Sequence, residues 1–171
     1  MFLPREVLEQ TAALTAEHPG RETGGILIGC LRRDAAAARL YLEITAQIPA
    51  RHTEATSAKL TFTPATWTDV QSALTLRNRD EAMLGWWHSH PVREWCKDCA
   101  PEKQAQCVLA RGFLSEDDRR LHRTVFPRAY SVALVVNDLE SGPTWSLFGW
   151  SRGVIASRDF ITVAEELHAS T

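Results

Sequence analysis

The sequence contains no apolar run approaching the roughly 20 residues that a bilayer-spanning helix needs, so no membrane association is expected. Its opening residues, Met1-Phe2-Leu3-Pro4-Arg5-Glu6, lack the basic-then-apolar order of a secretory leader, and the expectation is a cytoplasmic protein. A surplus of charge is also missing. The formal net charge is −2 at pH 7, which gives no general pull toward nucleic acid or an anionic surface. Cysteine is sparse: Cys30, Cys96, Cys99 and Cys107 are the whole set. In a cytoplasmic chain these read as thiols or metal ligands rather than disulfides. With no internal repeat and no low-complexity tract, residues 1–171 read as one domain, long enough to bury a core.

What is present alternates between helical and extended patterns. Residues 4–17 predict an amphipathic helix with Val7, Leu8 and Leu14 near one face, stopped by His18-Pro19-Gly20. Strands are expected at 26–31, 40–48 and about 59–62, and Thr63-Pro64 starts a helix running to about Arg79. Met83 to His88 reads as a buried strand. Residues 92–112 form a polar, cysteine-bearing insertion. A helix follows from Ser115 to about Val125, then strands at 131–136 and 145–150 and a final amphipathic helix at about 159–168. This order predicts an α/β protein with a mixed, largely antiparallel sheet flanked by helices.

The chemistry is concentrated in three places. His88 and His90 are two apart at a strand end, where side chains at i and i+2 share a face, so two imidazoles can share one metal ion. Ser115-Glu116-Asp117-Asp118 opens a helix; Ser115 and Asp118 have the spacing of a capping box, and either Asp117 or Asp118 can add a carboxylate to a metal. Glu22, just before Gly24-Gly25, is a candidate to take a proton from an activated water. Within the insertion, Cys96-x₂-Cys99-x₇-Cys107 has the spacing of a metal-binding turn, with His122, His52 or Cys30 as candidates for a fourth ligand. His122, one turn after Asp118, is alternatively placed to support the histidine-bound ion. Trp95 is expected to pack on Trp86 or Trp87.

Taken together, Glu22, His88-x-His90-Pro91 and Ser115-x-x-Asp118 resemble the signature of the JAMM/MPN⁺ (JAB-domain) zinc metallopeptidases. Residues 22–29, 48–53 and 145–150 are similar to strand segments of its bacterial members, and the resemblance spans about residues 1–155. It implies a cytidine-deaminase-like MPN/JAB fold, zinc held by His88, His90 and Asp118, Glu22 as general acid/base, and Ser115 as hydrogen-bond donor to the tetrahedral oxyanion. It also implies cleavage of a peptide or isopeptide bond after the C-terminal glycine of a ubiquitin-like protein, as in antiphage defence systems. The partners would be that modifier and its conjugates, with the cognate activating and conjugating enzymes. A sulfur-carrier processing peptidase and an inactive MPN scaffold are the other readings. A second, structural zinc at Cys96, Cys99 and Cys107 is an expectation from spacing. The gap between Pro91 and Ser115 is longer than the family's usual one, by about the length of the cysteine segment.

Overall fold

The computed structural model describes residues 1–51, 53–55, 60–104 and 106–164. Its first half runs β1 (Phe2–Pro4), α1 (Arg5–Glu17), β2 (Gly24–Asp34), β3 (Arg39–Pro49), β4 (Thr53–Ala55), β5 (Leu60–Phe62) and α2 (Pro64–Arg77). Then come β6 (Ala82–His90), α3 (Val92–Trp95), α4 (Pro101–Gln104), a 3₁₀ turn (Val108–Ala110) and α5 (Glu116–Val125). The chain continues as β7 (Val132–Asn137), β8 (Thr144–Ser151), β9 (Val154–Arg158) and β10 (Ile161–Val163). Eight strands form one sheet in the order β10-β1-β3-β2-β6-β7-β8-β9, while β4 and β5 pair separately. Pairing is antiparallel at β2/β3, β2/β6, β7/β8 and β8/β9, and parallel at β6/β7 and around β1. The sheet is mixed and largely antiparallel, with helices on its faces, as the order of elements predicts.

Strand alternation divides the core in two. Ile26, Ile28, Trp86, Ala133 and Val135 pack on one face with Val70 of α2 and Phe126 at the end of α5. Leu27, Trp87, Val132, Leu134 and Val136 pack on the other with Val7 and Leu8 of α1. The central strands are thus buried on both sides, which is why β6 and β7 read as unbroken apolar runs. Trp86 fixes the face on which the next alternate residues, His88 and His90, emerge: the side of α5.

The close fit of β6 to β7 depends on Gly85. A Cβ there would stand 2.0 Å from the Val132 carbonyl oxygen, and backbone cannot swing aside as a side-chain tip can. Gly85→Ala is therefore expected to destabilise the fold by about 1–3 kcal/mol or more, read as a lower urea midpoint. An unchanged midpoint would contradict this packing.

Several local expectations need correcting. Residues 161–163 are not helical: Ile161-Thr162-Val163 is a β-branched run that pairs in parallel with Phe2–Pro4. An open sheet edge outweighs weak helical periodicity, and the rest of the expected final helix, 165–168, lies outside the described residues. The same pairing turns Phe2–Pro4 into a strand, delaying α1 to Arg5. β9 is not evident in the sequence because its alternation is short. The 92–112 segment contains α3, α4 and the 3₁₀ turn rather than plain loop. Among the described residues, no helix is long and apolar enough to cross a membrane.

Candidate metal centre

His88 and His90 occupy the end of β6, and both are essentially inaccessible. Their Nε2 atoms are 3.0 Å apart. Asp118 Oδ2, from the first turn of α5, lies 3.5 Å from His88 Nε2. Three donors bound to one tetrahedral zinc at about 2.0–2.1 Å stand roughly 3.3 Å from one another, so the two measured separations bracket that spacing. All three ligand atoms lie within 4.8 Å of one another, and they are the sole such group of three among the described residues. Two imidazoles and a carboxylate are a donor set zinc takes readily. Asp117 is exposed, which decides the choice between the two aspartates in favour of Asp118.

The helix cap and the metal-facing role of this turn coexist. Asp118 Oδ2 accepts from Ser115 N–H at 2.8 Å and from Ser115 O–H at 2.7 Å, while Asp118 N–H donates to Ser115 Oγ at 3.1 Å. This reciprocal box anchors the start of α5. Burial pushes the Asp118 carboxyl up, but the His88 ring beside it and the two Ser115 donors outweigh that and hold it well below the usual carboxylate range. It is accordingly an anion, the form a cation needs.

The imidazoles are held from behind. Trp86 stacks on His88 with centroids 4.7 Å apart and planes at 14°. Its Nε1–H donates to His122 Nδ1 at 3.1 Å. Burial lowers the His122 pKa to about 4, with the Ser131 backbone opposing, so His122 is a neutral acceptor. It supports His88 through the indole. His90 sits between Trp95 and Phe113, at 5.0 and 4.6 Å between centroids. Trp95 therefore packs on His90 rather than on Trp86 or Trp87. Burial, followed by the charge of His88, lowers the His90 pKa to about 3, against the opposing pulls of Asp118 and Asn137. His90 is thus neutral at ordinary pH, the ligand form.

Asn137 borders the site, and the sequence does not disclose it. It is registered directly opposite His90 across the parallel β6/β7 pair. Asn137 Oδ1 and His90 Nδ1 are both buried and lack a hydrogen-bond partner. An Nδ1–H directed at that oxygen leaves the His90 Nε2 lone pair for a metal. In the sequence Asn137 opens a run of turn-forming residues, and only the strand register separates it from them.

Glu22 lies outside the ligand group but within its field. Thr23 N–H donates to Ser89 Oγ at 2.9 Å, and Ser89 N–H donates to the Thr23 carbonyl at 2.8 Å. Ser89, facing away from the two imidazoles, thereby clamps the segment carrying Glu22 beside β6. Glu22 is 5% exposed, and its buried Oε2 has no partner. A solvent-facing loop glutamate is ruled out by that burial. Desolvation raises its pKa from 4.5 to about 7, the charge of His88 opposing and that of Asp118 adding. A carboxyl poised there exchanges protons near neutrality.

Beside Ser115 and Asp118, a groove of about 360 Å³ runs along α5 past Leu121 and Val125, with Trp67 and Phe62 on its other wall. A separate cavity of about 300 Å³, lined by Leu42, Tyr130 and Leu147, contains none of these residues. In the insertion, Cys96 Sγ lies 3.8 Å from Cys107 Sγ, while Cys99 is exposed. Cys30 donates to the Asp80 carbonyl at 3.0 Å, far along β2 from Gly24, and His52 lies outside the described residues.

A mixed sheet whose central strand end carries His88 and His90, met by Asp118 from α5 and with a buried glutamate alongside, defines an α/β protein with a donor group of the geometry that can hold a metal ion. The chain belongs to the family described as prokaryotic homologs of the JAB domain, whose model matches residues 4–94. The matched stretch contains Glu22, His88 and His90. In fold it is similar to the solution structure of protein DSY2949 from Desulfitobacterium hafniense. That comparison has a TM-score of 0.58 and 18% identity, covering 98% of this chain and 96% of the other. Comparison with curated proteins finds no match.

Proposed function

We propose that this protein is a zinc-dependent metallopeptidase that hydrolyses the bond after the C-terminal glycine of a ubiquitin-like protein, releasing it from a target or from a precursor. The observation that carries the hydrolytic reading is the convergence of His88, His90 and Asp118 next to a buried Glu22 whose Oε2 has no partner. The substrate class comes from the resemblance of the motif to JAMM/MPN⁺ enzymes. Its partners are then the modifier, its conjugates and the enzymes that activate and attach it.

A zinc ion at the His-His-Asp group would supply Lewis acidity and lower the pKa of its water toward neutrality. Glu22, buried beside the group with a pKa near neutrality, is the residue that would hold a proton taken from the attacking water and return it to the departing amine. His90 contributes a neutral ring nitrogen and His88 a second one beside it, and the Trp86, Trp95 and Phe113 rings keep their surroundings dry. Ser115 Oγ–H turns from Asp118 to the developing oxyanion. The groove along α5 takes the extended C-terminal tail.

Two roles for Ser115 can be separated. Ser115→Ala removes the cap and the oxyanion donor together, costing about 0.5–2 kcal/mol of stability and roughly 10²–10³-fold in kcat. Ser115→Asn retains a good capping group, so it is expected to recover the melting temperature but not kcat. Recovery of both would remove Ser115 from the chemistry.

The reading is tested with the zinc-loaded chain, a C-terminally extended ubiquitin-like protein and its lysine conjugate. Cleavage after the glycine, abolished by a chelator, is expected. Preference for a sulfur-carrier precursor would move the substrate class. If none of these is cut, the chain is a scaffold.

A further inference from the structure

The insertion between β6 and α5 poses a problem that burial does not solve. Its regular structure amounts to two four-residue helices and a 3₁₀ turn, and its own apolar cluster is small: Val92, Cys96 and Ala110, with Trp95, Cys107 and Leu109 partly buried against them. So little burial does not normally order a segment of this length. Yet the segment delivers Trp95 from one end and Phe113 from the other to the two sides of His90.

We propose that Cys96, Cys99 and Cys107 form a second, thiolate zinc site that staples this insertion and so fixes the aromatic walls around His90. Two sulfurs held at about 2.3 Å by one tetrahedral zinc lie roughly 3.8 Å apart, and Cys96 and Cys107 Sγ lie 3.8 Å apart. Cys96 and Cys99 are joined by a turn in which Cys99 N–H donates to the Cys96 carbonyl at 2.9 Å, the local geometry by which a C-x₂-C pair embraces one ion. Cys96 also interacts with the Cys99 side chain as well as with Cys107, so it stands between the other two thiols. Cys99 is exposed and the three sulfurs do not converge as the His88, His90 and Asp118 donors do, so binding requires the Cys99 side chain to turn toward the Cys96–Cys107 pair.

On binding, the three thiols would lose their protons to solvent and supply three sulfurs to the ion. The linkage closes the chain between Cys96 and Cys107. Its anchor points sit one residue after Trp95 and six residues before Phe113, so what it stiffens is the frame of His90. This site is independent of the peptidase reading, since it requires neither Glu22 nor a substrate.

Cobalt substitution of the purified full chain tests it. The His88-His90-Asp118 group contains no sulfur, so a strong near-ultraviolet thiolate-to-cobalt band in the wild-type protein reports the cysteine site alone. That band is expected, together with about two equivalents of zinc in the native protein. The band should persist in His88→Ala/His90→Ala and vanish in Cys99→Ser, which loses one zinc and is cut faster by trypsin at Lys97 and Lys103. A cobalt-loaded wild-type protein without the band overturns the proposal, as does a Cys99→Ser protein that keeps it. The wild-type spectrum is decisive by itself, so the test stands even where a variant folds poorly.

Discussion

Glu22→Gln is expected to reduce hydrolysis by about 10²–10⁴-fold while the protein still takes up its full complement of zinc. The amide has the same shape and fits the same clamp between Thr23 and Ser89, but it cannot accept a proton from water. Glu22 is not among the three residues whose donor atoms converge, so metal content should be unchanged. Full activity in this variant would remove Glu22 from the reaction. Loss of zinc along with activity would make it a ligand.

The same substitution has a thermodynamic signature in metal-free protein. The Glu22 pKa stands at about 7 in the fold against an ordinary 4.5, so the folded state holds this proton more tightly than the unfolded chain does. Below pH 4.5 both states are protonated and the group costs nothing. As pH rises from 4.5 to 7 the unfolded chain gives up this proton while the folded protein keeps it, so stability falls by roughly 3 kcal/mol at about 1.4 kcal/mol per unit and levels off above 7. Glu22→Gln removes the ionisation. The apo variant should therefore be more stable than apo wild type at pH 8, with the advantage fading toward pH 4.5. A difference independent of pH would show that Glu22 is not held protonated by burial.

The second large effect is expected at the histidines. His88→Ala or His90→Ala should remove one equivalent of zinc and with it all hydrolysis, because a catalytic site with three protein ligands rarely survives on two. The loss should exceed the roughly 10–100-fold weakening that accompanies removal of an outer partner of a ligand. His90, its pKa near 3, has no proton to surrender at pH 6–8, so wild-type zinc affinity should vary little with pH through its ring in that range. Competition with a chromophoric chelator measures both. Undiminished zinc in either variant would place the metal elsewhere.

The sequence alone determined the features set by residue type and local period. The i, i+2 spacing of His88 and His90 puts both on one face of a strand. The Ser115-x-x-Asp118 spacing sets a helix cap, and alternation and periodicity locate most strands and helices. These are local properties, because the backbone geometry of a strand or a helix end is the same wherever it sits. The tertiary structure decided everything that depends on which segments lie side by side. It buried Glu22 and raised its pKa, and it chose Asp118 over the exposed Asp117. It set Asn137 opposite His90 and brought Trp95 and Phe113 to the same ring. It also made a strand of residues 161–163. The physical reason is that burial, register and contact between distant segments arise only once the chain has paired β6 with β7 and laid α5 across them.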